Sequence, residues 1–287
     1  MMLKNTRIAF VGSGAMAEAM IAGLLSRNLV KAQDLIAAGP RQERAEELIQ
    51  RYGVQATTDN CAAIEGADIV VLSTKPQVFP HVRDALQGKI KPEALVLSIL
   101  AGVKMETISQ GLLHAGVVRA MPNTPARIGQ GITVWTNSAA VTETQREQAK
   151  TILEALGQQI YVEDEEYLDM ATALSGTGPG YVFLFMEALV DAGVHLGFSR
   201  HMAEQLVLQT VKGSVEYVLH SPDHLARLRN QVTSPGGTTA EALYYLERAG
   251  FRTALSRAVW AAYQRSVQLG AGKQRDSLNR EENGEKA

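Results

Sequence analysis

Residues 233–241 read Thr-Ser-Pro-Gly-Gly-Thr-Thr-Ala-Glu, and an ordinary amphipathic helix follows from Ala240 to Arg248, closed by Gly250. Two adjacent glycines and two hydroxyls are an unusual entrance for a helix. Thr238 and Glu241 fit a T-x-x-E capping box, which predicts Thr238 as the cap. The backbone N–H groups of Gly236, Gly237 and the first turn then face outward at the positive end of the helix, where they suit a carboxylate. Thr239, one position along, keeps its hydroxyl free.

A second stretch suits a larger anion. Gly12-Ser13-Gly14-Ala15-Met16-Ala17 is a G-x-G-x-x-A placed directly after the apolar run that ends at Val11. The first glycine makes a tight turn, the second lets backbone approach a pyrophosphate at a helix N-terminus, and Ala17 allows close helix packing. Dinucleotide binding is the expectation. Readers of NAD usually carry an acid at the end of the next strand, but here that strand ends Ala37-Ala38-Gly39-Pro40 and is followed by Arg41 and Arg44. A guanidinium there suits a 2′-phosphate, so NADP(H) is expected over NAD(H), which stays open.

What is absent also directs the chemistry. No Cys pair or His spacing supports a metal, and none of the eight tyrosines has a lysine four residues on. No lysine lies between Lys150 and Lys212, where a β-hydroxyacid dehydrogenase would carry its catalytic one. Reducing a carbonyl needs a proton donor beside the new alkoxide, whereas reducing a protonated imine does not. The chain therefore leans toward C=N chemistry. A hydroxyacid dehydrogenase and a non-catalytic NADP-binding sensor remain the alternatives.

The elements that must position these groups follow a clear order. Short apolar runs alternate with amphipathic stretches through the first half, as in a mostly parallel sheet with helices on both faces. From Tyr167 onward the pattern is helical throughout. The expected architecture is an α/β Rossmann-like dinucleotide-binding domain over residues 1–164, an all-α domain over 165–273, and a disordered tail over 274–287. Within the helical part, 170–186 is the longest uncharged run; the "SGTGPG" inside it predicts two buried helices meeting at a loop rather than a membrane span. Pro179 suits a first helical turn. Helices apolar around most of their circumference, such as 181–196, need cover from the same chain or from a partner subunit. A net charge of −2 and a pI near 6.3 argue against a nucleic-acid partner. One cysteine, and a start without an apolar leader, predict a reducing cytoplasm.

Beyond these readings, the chain resembles the pyrroline-5-carboxylate reductases over almost its whole length. The segments "FVGSGAMAEAMIAGLL", "STKPQ", "SILAGV", "MPNTPARIGQG", "LSGTGPGYVFLFMEALVDAGVHLGFSR" and "SPGGTTAEALYYLERAGFR" occur in that family's order and spacing. The resemblance implies NADPH-dependent reduction of 1-pyrroline-5-carboxylate to L-proline by a homodimer built through the helical domain, often assembled further into a decamer. It implies a substrate site at Ser234, Gly236, Gly237, Thr238 and Thr239, with Thr239 reaching the ring nitrogen of the imine, and at Ser175 and Gly178. It also implies cofactor contacts at Val11, Gly12, Ser13, Gly14, Ala15, Met16, Gly39, Arg41, Asn60, Ser73, Thr74, Lys75, Pro76, Ile99, Leu100, Ala101 and Asn123. Two positions depart from the family's pattern. Gly39 stands where serine or asparagine is common, which puts one phosphate hydrogen bond in doubt, and Leu100 replaces a common alanine in the expected cofactor wall.

Overall fold

A computed structural model describes residues 3–270. The expected tail over 274–287 lies outside the described residues. The chain divides into two compact units, one formed by residues up to Thr177 together with those from Ala262, the other by Gly178–Ala261.

The first unit is built on an eight-stranded sheet. Its strands are β1 (Ile8–Val11), β2 (Leu35–Ala38), β3 (Gln55–Thr57), β4 (Ile69–Leu72), β5 (Leu95–Ser98), β6 (Val117–Met121), β7 (Gly131–Asn137) and β8 (Gly157–Tyr161). They lie in the order β3-β2-β1-β4-β5-β6-β7-β8. All neighbours are parallel except β6 and β7. Strands β1, β2, β4 and β5 are buried at every residue, which is why they read as unbroken apolar runs rather than alternating ones. Alternate residues serve opposite faces. Ile8 and Phe10 enter one core with Met20, Leu24 and Trp135, while Ala9 and Val11 enter the other with Phe79, Val82 and Ile108.

The connecting helices are α1 (Ala15–Ser26), α2 (Gln42–Tyr52), α3 (Asn60–Ile64), α4 (Phe79–Leu86), α5 (Met105–Leu112) and α6 (Glu143–Glu154). Strand β3 and helices α3 and α5 are three, five and eight residues long. Helix α3 is started by Asp59, whose carboxylate accepts from the amides of Cys61 at 2.7 Å and Ala62 at 3.3 Å.

Helix α7 (Tyr167–Ala171) does not end at a loop, contrary to the reading of "SGTGPG". It passes through a π-helical turn, Thr172–Gly176, and the helical path runs on through α8 (Gly178–His195). The Thr177 amide and hydroxyl both donate to the Thr172 carbonyl at 2.8 Å. Pro179 has no N–H to give the helix ladder, and the wide turn just before it absorbs the missing bond.

The second unit contains α8, α9 (Arg200–Leu219), α10 (Leu225–Gln231), α11 (Thr238–Arg248) and the first part of α12 (Phe251–Gly270). Of the two kinds of cover the sequence left open, the same chain does not supply it over much of this helical surface. Phe183, Leu184, Leu206, Leu208 and Tyr245 are all more than half exposed. Apolar residues lie around the circumference of α8, so its uncovered faces call for a partner.

Candidate active site

In the first unit, the residues singled out from sequence collect along one edge of the sheet, beyond the C-terminal ends of its parallel strands. Gly12–Gly14 follows β1, Gly39 and Arg41 follow β2, and Asn60 follows β3. Ser73–Pro76 follows β4, Ile99–Ala101 follows β5, and Asn123 follows β6. The strand order reverses between β1 and β4, the place where open α/β sheets bind ligands.

Backbone contacts fix this edge. Gly12 has φ +109°, and its amide donates to the Ala38 carbonyl at 2.9 Å. The Ser73 hydroxyl donates to the Gly12 carbonyl at 2.7 Å, and its amide to the Val11 carbonyl at 2.9 Å. Val11 and Ser73 thus hold the glycine loop from behind. Gly14 caps α1 with no side-chain bond and borders open space, which leaves the amides of the first turn for an anion. Ala15 and Lys75 are exposed, whereas Met16 packs on the core. The Thr74 hydroxyl is buried with no partner among the described residues.

Other expected contacts are narrowed by the geometry. The Leu100 side chain is 2% exposed and sits in the core, so this departure from the family's pattern presents backbone rather than a new wall. The Asn123 side-chain oxygen accepts from the Ile132 amide at 3.0 Å, so it already pins β7 to the loop after β6.

Arg44, named with Arg41 from the sequence, is already engaged within the protein. Its guanidinium pairs with Glu18 and, at 2.8 Å, with Glu47, and its Nε donates to the Ser13 carbonyl at 3.1 Å. Arg41, at the start of α2, is exposed and forms no ion pair among the described residues. It borders a cavity of about 340 Å³ with Gly14, Ala15, Glu18 and Arg44.

Glu18 anchors that arrangement. Burial pushes its pKa up, but hydrogen bonds from Arg44, Tyr52 and Arg51 outweigh burial and hold it at about 2, against an ordinary 4.5. Because the folded value is depressed, the stabilisation is complete above pH 4.5 and is lost as pH falls toward 2. Compared with Glu18→Gln in urea melts, the unaltered protein should hold its largest advantage above pH 4.5 and lose it on acidification toward pH 2. An advantage unchanged across that window would exclude the carboxylate as its source.

A cluster that the sequence reading overlooks ties the same edge to the last helix. Arg119 of β6, 2% exposed, donates to Glu165 at 2.8 Å and to Asp169 at 3.2 Å. Glu165 also accepts from the Met105 amide at 2.7 Å, and Asp169 from the Ser266 hydroxyl at 2.7 Å. The only available sequence signal is an arginine inside an otherwise apolar strand, "VVRAM".

In the second unit, the entrance of α11 differs from the sequence reading in one respect. Gly237, not Thr238, is the N-cap, and no side chain caps the helix. Pro235 and Gly236 (φ +70°) make a tight turn closed by Gly237 N–H to Ser234 O at 3.0 Å. That turn delivers the chain one residue early, so Thr238 and Thr239 are the first two helical residues and Glu241 sits outside a capping box. The amides of Thr238, Thr239 and Ala240 have no partner among the described residues. Among the helix starts with a described cap, only α1 and α11 use glycine. Ser175, in the π turn, donates to the Ala171 carbonyl at 3.0 Å, and Gly178 borders open space.

Comparison with known proteins finds matches for both parts of the chain. Residues 165–269 match the family model for pyrroline-5-carboxylate reductase dimerisation, and residues 7–102 that for NADP oxidoreductase, coenzyme F420-dependent. The chain is 40% identical over 266 residues to the pyrroline-5-carboxylate reductase of a Synechocystis species, covering 93% of this chain and 99% of that one. It is 40% identical over 268 residues to the Pseudomonas aeruginosa pyrroline-5-carboxylate reductase, covering 93% and 98%. The crystal structure of Plasmodium falciparum pyrroline carboxylate reductase with NADP bound superposes with a TM-score of 0.85 at 32% identity, covering 93% of this chain and 98% of that one. With its glycine-capped helix starts and its likeness to these proteins from end to end, the chain belongs to the pyrroline-5-carboxylate reductase family.

Proposed function

We propose that the protein reduces 1-pyrroline-5-carboxylate to L-proline with NADPH, residues 1–164 serving the nucleotide and 165–273 the substrate and the dimer. The observation that carries this reading is the start of α11, where amides without partners adjoin a threonine hydroxyl behind a glycine cap. In this reading the amides of the first turn hold the substrate carboxylate, helped by the positive helix end. Ser234, Gly236 and Gly237 shape the turn and let the ring approach, Thr238 lies beside it, and Ser175 and Gly178 border the substrate from the helical turn before α8.

Thr239 holds the ring nitrogen and so fixes which face of the C=N bond is offered. NADPH, when bound, supplies the hydride that adds to C5, while the C=N π electrons become the lone pair of the amine nitrogen. Since the protonated imine becomes a neutral amine, no acid is required at the moment of transfer, and the acceleration comes mainly from positioning. Gly12–Met16, Arg41, Asn60, Ser73–Pro76, Ile99–Ala101 and Asn123 are the proposed cofactor contacts. A cytoplasmic enzyme without a membrane partner, whose dimers can assemble to a decamer, completes the proposal.

The test follows NADPH oxidation by the purified chain with 1-pyrroline-5-carboxylate, with the six-membered imine in parallel, and NADPH formation from NADP+ with a hydroxy acid. Turnover of the five-membered imine is expected. Turnover of the hydroxy acid alone, or nucleotide binding without any turnover, would reject the proposal. Thr239→Ala should lose a hydrogen bond to a charged group, about 1.5–3 kcal/mol, or roughly ten- to a hundredfold in kcat/KM. Thr239→Ser should recover most of the loss, and an unaffected Thr239→Ala rate would remove the residue from this role.

A further inference from the structure

We propose that the Ser13 hydroxyl hydrogen-bonds the 2′-phosphate of the cofactor, taking over the place that a side chain at position 39 would otherwise fill. The inference rests on the reading of this chain as an NADP(H) binder. Gly39 is the first residue beyond β2, and its amide donates to the Thr57 carbonyl at 3.1 Å. Dinucleotide folds place the side chain that reads the adenosine ribose at the end of this second strand. Here that position has no side chain, and the space is already taken. A Cβ built on Gly39 would lie 2.1 Å from the Ser13 Oγ and 3.1 Å from the Ser13 Cβ. With Ser13 in this rotamer the two side chains would compete for one volume, and in this protein it is filled from the glycine loop.

The hydroxyl is held ready for a ligand. Ser13 is part-exposed, and its Oγ bonds to none of the described residues. Its backbone is clamped from the other side, because Arg44 donates to the Ser13 carbonyl while Glu18 and Glu47 hold the guanidinium. This gives Arg44 a positioning role and leaves Arg41, two residues beyond Gly39, as the exposed cation at this strand end. A hydroxyl and a guanidinium divide the work: Arg41 supplies charge, and Ser13 supplies a directed O–H donor.

The test is calorimetric titration of the full chain with adenosine 2′,5′-bisphosphate and with adenosine 5′-monophosphate, which differ only in the 2′-phosphate. The unaltered protein should bind the bisphosphate more tightly. Ser13→Ala should reduce that advantage on the order of tenfold while changing monophosphate affinity by less than about twofold. The double variant Ser13→Ala/Gly39→Ser, which moves the hydroxyl across the same gap, should restore most of it. Arg41→Ala, as control, should also reduce the advantage. An undiminished advantage in Ser13→Ala, or an equal loss for both ligands, would overturn the assignment of Ser13. No advantage in the unaltered protein would instead overturn the NADP(H) reading beneath it.

Discussion

Asp169→Ala is expected to destabilise the first unit by about 3–5 kcal/mol, because it strands a buried guanidinium. Arg119 is almost fully enclosed, and its charge is met by two carboxylates on the segment leading into and through α7. Glu165 remains in the variant, but it is more exposed and is already shared with the Met105 amide. Asp169 is the deeper partner and also the one that Ser266 reaches from the end of α12. Its removal leaves both a cation and a hydroxyl without their acceptor. A thermal or urea melt measures the loss. The diagnostic control is Arg119→Met in the same background: deleting the charge as well should recover much of the stability, since an apolar replacement for a buried ion pair is often near neutral. A double variant as unstable as Asp169→Ala would show that the aspartate stabilises by some route other than Arg119.

The cluster also shows which parts of the molecule could be read in advance. G-x-G-x-x-A was legible because its meaning is local: a turn, a close approach and a helix start within six residues. The central strands were legible because burial on both faces leaves a bare apolar run. Pairings across long separations were not. Nothing near Arg44 in the chain announces Glu18, 26 residues earlier, so Arg41 and Arg44 looked alike although only Arg41 is uncommitted. Asp169 and Ser266 are 97 residues apart. At α11 the motif itself was ambiguous. T-x-x-E fits a helix beginning after Thr238, but the Pro235–Gly236 turn starts the helix one residue sooner, and a one-residue shift turns a cap into a helical position. "SGTGPG" misled in another way. Glycine and proline usually punctuate helices, yet a π turn keeps this path helical.

Gly12→Ala is expected to cost about 2–6 kcal/mol of stability and to weaken NADPH binding at the same time. Two independent penalties meet at this position. The φ of +109° is strained for any L side chain, at about 1–3 kcal/mol. The added methyl would also lie 2.6 Å from the Ser73 carbonyl carbon and from the Thr74 amide nitrogen, an overpacking cost of about 1–3 kcal/mol. Those neighbours are backbone, so no rotamer change relieves the contact. Relief requires the glycine loop and the 73–76 segment to separate, which breaks the Ser73 hydrogen bond to the Gly12 carbonyl. Both segments carry proposed cofactor contacts, and the first also carries Ser13, so the separation moves the pyrophosphate amides and the 2′ hydroxyl donor together. Gly14→Ala is the informative comparison, since a methyl there meets nothing within 4 Å in the protein itself. It should leave the melt nearly unchanged while still weakening NADPH, because only the ligand would meet the new methyl. Equal melting losses for the two variants would mean that the tight seat of Gly12 against Ser73 and Thr74 does not govern this edge of the sheet.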